Sequence, residues 1–253
     1  METTPTELQL DQFKAFKHRI TRFMMVYKFA LDTMETKIET LQEEFQFLHE
    51  YNPIEHTKSR LKSPESILKK LFRKNLPVSL PSIQDNIRDI AGMRITCSFI
   101  SDIYTIQAML ASQTDLRIVE TKDYIKQPKP NGYQSLHLLV EVPVYMSDRQ
   151  ENVYVEIQIR TIAMDFWASL EHKIFYKYNQ SVPAKMLSEL KAAADAATAL
   201  DQQMERLHRE IGEIKEAQQS DDELTLQRIM VSNQQFSLPS ALMDMMDDGK
   251  NRQ

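Results

Sequence analysis

The spacing of apolar residues changes twice along the 253-residue chain, and this restricts its fold more than any other feature. Over residues 6–50 apolar positions recur at steps of three and four, which predicts helix. Over 135–144 and 152–160 they alternate, and the intervening SDRQ turn predicts an antiparallel hairpin. Helical spacing returns from Ile162 and predicts a long helix over about 183–217.

Shorter elements complete the pattern. We therefore predict an α+β fold, with a mixed, largely antiparallel sheet and flanking helices. The predicted shorter elements are helices from Pro64 and over 102–111, strands over 91–99 and 116–121, and loops over 77–81 and 122–133.

One structural domain is predicted, in four segments. These are N-terminal helices over 1–52, a core over 53–180, a C-terminal long helix over 181–217 and a flexible polar tail over 218–253.

The counts of two residue types exclude several kinds of site. Four glycines at their positions cannot form the glycine-rich loops of Rossmann or P-loop nucleotide sites. The single Cys97 excludes an internal disulfide framework and cysteine-rich zinc sites, and it favours a reducing compartment.

The distribution of apolar and charged residues indicates where the protein is located and which partners it can bind. No apolar run approaches the roughly 18 residues of a membrane span, and the N-terminus lacks the pattern of a secretory signal. We expect a cytoplasmic protein with no membrane partner. A net charge of -5 argues against a polyanion-binding surface over the whole molecule, so nucleic acid is not the expected partner, although a local basic patch is compatible with it.

The two clearest strands carry a polar face. Alternation places Glu156, Gln158 and Arg160 opposite a row of valines and isoleucines, and His137 on the neighbouring strand shares their side. On this pattern alone a solvated sheet face, the usual case for a half-exposed antiparallel sheet, is favoured over a binding site.

Two carboxylates could form a cation site. Asp89 precedes the strand that contains Gly92 and Arg94, and Glu156 lies on a strand of the same predicted sheet. Mg²⁺ in proteins takes one or two carboxylates together with substrate phosphates. The alternative is that Asp89 only turns the chain beside its two flanking arginines.

A basic segment and a loop could bind a phosphorylated ligand. Residues 58–74 hold seven basic residues and one acid, a local charge of +6, which suits a nucleotide or a nucleic acid equally well if it is not simply a solvated helix face. In the loop before the first strand of the hairpin, Lys129 could contact a phosphate and Tyr133 could stack on a base.

Four ordered motifs give these residues a family resemblance. RDIAGMRI at 88–95, KPNGYQSLH at 129–137, EIQIRT at 156–161 and FWASLEHKIFYKY at 166–178 resemble the RelA/SpoT synthetase domain. The likeness runs from about residue 50 to about 215. It implies a nucleotidyltransferase-like core in a stand-alone small alarmone synthetase. Such an enzyme transfers pyrophosphate from ATP to the 3′-hydroxyl of GDP or GTP, giving AMP and ppGpp or pppGpp in the stringent response.

The resemblance also implies roles for particular residues. Asp89 and Glu156 would be the catalytic carboxylates that hold Mg²⁺, and Glu156 would also be the base near the 3′-hydroxyl. The residues implied for ATP are Arg60 and Arg94 at adenine and Lys62, Ser66, Lys70 and Arg73 at the phosphates. The residues implied for GDP or GTP are Lys129, Tyr133, His137 and Gln158, with Tyr133 stacked on guanine.

The subtype and assembly follow from finer comparisons. RelQ-type enzymes bind pppGpp in the central cleft of a tetramer, using a phenylalanine and an asparagine where this chain has His56 and Asp165. Because a carboxylate would repel a polyphosphate, we expect the chain to be RelP-like, with little or no activation by pppGpp. The resemblance implies a homotetramer.

Two other functions compete with the synthetase. One is a catalytically inactive regulatory or RNA-binding member of the same fold, and the other is a different nucleotidyltransferase. The pair Asp89 and Glu156 favours an enzyme over an RNA-binding module, which has no use for two metal-binding carboxylates.

Overall fold

A five-stranded mixed sheet with helices around it forms the centre of the structure, which is a computed structural model that describes residues 7–48, 51–175, 183–218, 228–231 and 234–237. The strands of the sheet are β1 (Ile54–Leu61), β2 (Ala91–Cys97), β3 (Arg117–Asp123), β4 (Leu136–Tyr145) and β5 (Gln150–Thr161). Their order is β1-β2-β5-β4-β3, and only the central pair β2–β5 is parallel. The predicted fold class is confirmed.

Six helices accompany the sheet in the part of the chain that the structure describes. They are α1 (Glu7–Leu48), α2 (Pro64–Arg73), α3 (Leu80–Asn86), α4 (Ile100–Ser112), α5 (Ile162–Phe175) and α6 (Ala184–Gln218). None of them is long and apolar enough to cross a membrane.

The sheet is apolar on one face and polar on the other. Val153, Val155, Ile157 and Ile159 on β5 are buried, as their alternation predicts, in one core with residues of α1 and α4. On α1 the buried positions include Tyr27, Leu31, Met34 and Ile38, at steps of four and three residues. The opposite face of β5 therefore carries the polar side chains.

Helix α6 packs against α4, α5 and the loop before β4 through two hydrogen bonds and one close contact. Glu205 accepts a hydrogen bond of 2.7 Å from the Ile100 amide at the start of α4. The Trp167 indole of α5 donates to the Leu190 carbonyl at 3.2 Å. Gly132, in the loop before β4, lies against Ala194. The long helix thus supports the loop that carries Tyr133.

Several predicted boundaries need correction. The basic segment 58–74 is not one helix, because its first residues form the edge strand β1, whereas α2 begins at Pro64 as predicted. Most of 77–81 is a connection, as predicted, but α3 begins at Leu80, with Pro81 in its first turn, where a missing N–H is tolerated. Within its described residues the N-terminal segment contains a single helix, and β3 extends to Asp123, two residues into the predicted loop.

The tail differs from a wholly flexible segment where the structure describes it. Two short antiparallel strands, β6 (Arg228–Val231) and β7 (Gln234–Ser237), lie within 218–253. The rest of the predicted flexible tail after Gln218 lies outside the described residues, as do residues 1–6 of the N-terminal segment.

Candidate active site

Two cavities open on the polar face of the sheet, and Glu156 lines both. The Asp89 cavity, of about 510 Å³, is lined by Asp89, Lys70, Lys129, His137 and Glu156 among others. The Arg94 cavity, of about 560 Å³, includes Arg60, Arg94, Tyr133, Gln158 and Arg160 with Glu156 in its lining. Register explains the shared wall, because β5 pairs with both β2 and β4 and places Glu156 opposite Gly92 on one side and Leu139 on the other.

Asp89 lies between two lysines at the floor of its cavity. Lys62 forms a hydrogen-bonded ion pair with its carboxylate, and the Lys70 ammonium lies 2.8 Å from Oδ1. Burial alone would raise the pKa of Asp89, but the two lysines outweigh it and hold the pKa below its ordinary value. Burial also lowers the pKa of Lys62, against the attraction of Asp89. Asp89 is therefore ionised at neutral pH.

The donor set suits a cation that arrives with phosphates. Asp89 and Glu156 face the same cavity. Among the described residues, no group of three or more histidine, cysteine or acidic side chains could hold a metal ion. Two carboxylates without further protein ligands fit Mg²⁺, which takes its other ligands from water and phosphate oxygens. Lys62 and Lys70, whose ammonium groups pair with Asp89, would bind those phosphates when the ligand is present.

His137 is held neutral beside Glu156. Burial, followed by the charges of Arg160, Lys129 and Lys122, lowers the pKa of His137 to about 3. The 3.9 Å between its Nδ1 and Glu156 Oε1 is therefore no ion pair at pH 7. Tyr133 Oη accepts from Arg160 Nη2 at 2.7 Å, so its own proton is free to donate to His137 Nε2, also at 2.7 Å. This assigns the imidazole proton to Nδ1, on the Glu156 side.

A line of hydrogen bonds runs from Glu156 along β5. Gln158 Nε2 donates to Glu156 Oε2 at 3.1 Å, and Gln158 Oε1 accepts from Arg160 Nη2 at 2.8 Å. Arg160 is only 4% exposed, and its Nη1 donates to Asp165 of α5 at 3.1 Å. The polar strand face is thus a built site and not a solvated surface.

The structure brings most of the predicted site residues together. Arg60 lies on β1 in register with Gly92, and its side chain lies next to that glycine. The Lys129 ammonium lies 4.5 Å from the ring centroids of both Tyr124 and Tyr133. Ser66 and Arg73 are exposed on α2 and line neither cavity. Ser66 instead contacts Ser63, the N-cap of that helix.

Arg160 and Asp165 were missed as members of the site. The alternation of β5 placed Arg160 on the polar face, but nothing in the local sequence showed that α5 would bring a carboxylate to it. The sequence alone predicts that the carboxylate of Asp165 repels a polyphosphate, which treats its charge as uncompensated. That premise is wrong, because Asp165 lies 2.9 Å from Arg94 and 3.1 Å from Arg160, and its charge is compensated.

These features define a class of protein: an α+β protein in which the polar face of a mixed sheet forms two adjoining cavities for anionic ligands. Comparison with known proteins makes the class specific. Residues 59–181 match the family model described as the region found in RelA / SpoT proteins. The chain is 52% identical over 202 residues to the GTP pyrophosphokinase YwaC of Bacillus subtilis, covering 80% of this chain and 96% of that protein.

Solved structures agree with this match. The small alarmone synthetase 2 of B. subtilis superposes with a TM-score of 0.69 at 54% identity, over 75% of this chain and 98% of that one. The small alarmone synthetase 1 of B. subtilis bound to pppGpp superposes with a TM-score of 0.71 at 37% identity, over 76% and 98%. The chain belongs to the RelA/SpoT family, and its predicted membership is confirmed.

Proposed function

We propose that this chain is a (p)ppGpp synthetase that transfers pyrophosphate from ATP to the 3′-hydroxyl of GDP or GTP. The observation that carries the proposal is the position of Glu156, which lines one cavity with Asp89 and the other with Arg60 and Arg94. The names of its relatives, GTP pyrophosphokinases of B. subtilis, support the same activity.

The residues around Glu156 account for both substrates. Arg60 and Arg94 present guanidinium groups, whose planes stack on a purine, in the cavity that would take adenine. Lys62 and Lys70 would take the ATP phosphates. Phosphoryl-type transfer needs mainly positioning and charge neutralisation, which these cations supply without a glycine-rich loop.

The acceptor nucleotide would lie beside Lys129, Tyr133 and His137. Stacking on the Tyr133 ring would orient guanine, and Glu156, at the junction of the cavities, would accept the proton of the 3′-hydroxyl. Asp89 and Glu156 would hold Mg²⁺, which supplies charge stabilisation to the transferred group.

Product analysis with labelled ATP tests the activity. Incubation with GDP or GTP in the presence of Mg²⁺ is expected to give AMP together with ppGpp or pppGpp. Release of pyrophosphate in place of AMP would indicate a different nucleotidyltransferase. If neither product forms, the result supports the inactive or RNA-binding alternative. Binding of a labelled RNA would then be measured directly.

The finer assignments belong to the same proposal. We infer a RelP-like, cytoplasmic enzyme that assembles as a homotetramer and responds little or not at all to pppGpp. The chain is 52% identical to YwaC and 39% identical to YjbM of B. subtilis. It is thus more similar to one of these two synthetases than to the other, which supports assigning it to a subtype. His56, exposed on β1, remains a poorer stacking surface than phenylalanine. Initial rates with added pppGpp would test the regulatory part.

A further inference from the structure

One carboxylate oxygen bonds two arginines of the Arg94 cavity. Asp165 Oδ1 lies 2.9 Å from Arg94 Nη1 and 3.1 Å from Arg160 Nη1. Asp165 is on the first turn of α5, whereas the two arginines are on the neighbouring strands β2 and β5. A single side chain from the helix therefore fixes two guanidinium groups of the Arg94 cavity, one on each strand.

On the acceptor side, the contact is made through Arg160. Its side chain is 5% exposed, and a buried cation without a partner is strongly unfavourable. With Asp165 bound to Nη1, Nη2 donates to Tyr133 Oη and to Gln158 Oε1, and the guanidinium carbon lies 5.1 Å from the Tyr133 ring centroid. Arg160 thereby holds both the tyrosine ring and the amide that bonds Glu156.

On the donor side, the contact is made through Arg94. Its side chain is 33% exposed and lines the cavity beside Arg60. Its Nε is buried and has no hydrogen-bond partner in the protein. The ion pair at Nη1 is thus the contact that fixes the plane on which a purine would stack.

We propose that Asp165 is a positioning residue that aligns both nucleotides, presenting Arg94 to the purine of ATP and, through Arg160, Tyr133 to the purine of the acceptor. The inference rests on the proposed function and adds to it a residue outside the predicted site. Asp165 touches neither substrate and acts only through the two arginines. Because its carboxylate serves both, loss of its charge weakens the two sites together.

The arrangement predicts a pattern of Michaelis constants that general destabilisation would not give. Asp165→Asn keeps the shape of the side chain but removes the charge that holds both guanidinium groups, and it is expected to raise KM for ATP and for GDP by about tenfold each, the scale of one charged hydrogen bond. Arg160→Lys keeps the buried charge but cannot bond Asp165, Tyr133 and Gln158 at once. It is expected to raise KM for GDP by a similar factor and to leave KM for ATP within about twofold.

Asp195→Asn is the matched control. Asp195 is an exposed partner of Lys191 on α6, 65% exposed at the side chain, so the same chemical change is made where no nucleotide is expected. Both constants should stay within about twofold for this variant, since exposed ion pairs contribute little. Circular dichroism melting curves of all variants verify that they are folded at the assay temperature.

A direct binding measurement separates this inference from the proposed function. Calorimetry with GDP and, separately, with the α,β-methylene analogue of ATP needs no turnover, and both dissociation constants should rise in Asp165→Asn. Unchanged constants, or a rise for one nucleotide only, would overturn the inference while leaving the synthetase activity in place. If the wild-type chain forms no product, the proposed function fails, and the two dissociation constants still decide the role of Asp165. If Asp165→Asn does not fold, Asp165→Glu, which keeps the charge but displaces the carboxylate, is expected to raise both constants to a smaller extent, and unchanged values would again contradict the inference.

Discussion

His137 is half-buried and Asp201 is buried, and their shifted pKa values act on stability in opposite directions. The pKa of His137 is about 3 in the folded chain and about 6.5 in the unfolded chain. Below pH 6.5 the imidazole is therefore protonated in the unfolded chain but not in the folded chain, which favours unfolding. The stabilising contribution of His137 is present above pH 6.5 and is lost as the pH falls. Burial raises the pKa of Asp201 to about 6, against its hydrogen bond from Thr161. The stabilising contribution of Asp201 is fully present below the pKa that its carboxyl group has in the unfolded chain. It is lost as the pH rises through 6.

The two residues can be separated by single variants. Relative to wild type, His137→Gln is expected to gain about 1–2 kcal/mol of unfolding free energy between pH 7.5 and pH 5. Asp201→Asn should change the other way, by about 1 kcal/mol over the same interval. Urea denaturation at both pH values measures the differences. A parallel change in both variants would show that other groups set the pH dependence.

Asp89 and Glu156 should be essential to synthesis but not to folding. Asp89→Asn and Glu156→Gln each remove one carboxylate charge from the Asp89 cavity, and loss of a metal ligand removes several kcal/mol of transition-state stabilisation. We expect product formation to fall below detection in both variants, with a melting temperature close to wild type for Glu156→Gln and a lower one for Asp89→Asn, which folds but leaves Lys62 and Lys70 without their carboxylate. Glu189→Gln, on an exposed side chain of α6, is the control. Near-normal turnover in either site variant would refute the assigned metal site.

At the scale of elements, the loop before β4 is fitted closely to α6. Gly132 has φ +88°, which side-chain-bearing residues rarely adopt, and a Cβ there would lie 2.4 Å from the Ala194 Cβ. Its amide also donates to the Lys129 carbonyl at 2.8 Å, which closes the turn ahead of Tyr133. Packing of this loop therefore depends on a helix some 60 residues later in the chain.

Gly132→Ala should lower stability and weaken binding of GDP. Backbone strain of about 1–3 kcal/mol adds to the clash with Ala194, and displacement of the loop moves Tyr133. Ala194→Gly in the same chain removes the clashing methyl group but not the strain, so the double variant should be more stable than the sum of the single effects predicts. Gly212→Ala, in open space on α6, should instead stabilise slightly. Strict additivity of Gly132→Ala and Ala194→Gly would contradict the contact.

Local patterns predicted the elements whose periodicity is strong. The alternation of β4 and β5 and the helical spacing of α1 predicted their type, and the alternation of β5 also predicted which of its side chains form the polar face. Strand β1 was missed because only Ile54 is buried, so a strand at the sheet edge shows no apolar alternation. The bond between Asp165 and Arg94 depends on how α5 packs across two strands, which no local spacing encodes.

At the scale of the whole molecule, α6 carries an exposed apolar stripe. Its members recur at alternating steps of four and three residues, the spacing by which helices pack against one another. They are Leu200, Met204, Leu207, Ile211 and Ile214, each at least 44% exposed. The stripe is a candidate contact surface for the proposed homotetramer.

Leu207→Glu should therefore reduce the size of the assembly. A buried carboxylate without a partner is costly, so light scattering is expected to show a species smaller than four times the chain mass of 29.6 kDa. Gln202→Glu adds the same charge at an exposed position off the stripe and should not change the mass. A wild-type chain that stays monomeric at all concentrations would argue against the tetramer.

The shared wall formed by Glu156 has a consequence for inhibition. Because the two cavities adjoin at Glu156, a single molecule could place one purine against Arg94, a second against Tyr133 and its polyphosphate beside Asp89. Once one purine is bound, the other is held at a high effective concentration near its own stacking residue, on the order of millimolar for a short flexible tether. Bivalent dinucleoside polyphosphates should thus inhibit the chain more strongly than either mononucleotide, and the best tether length would measure the separation of the two bases.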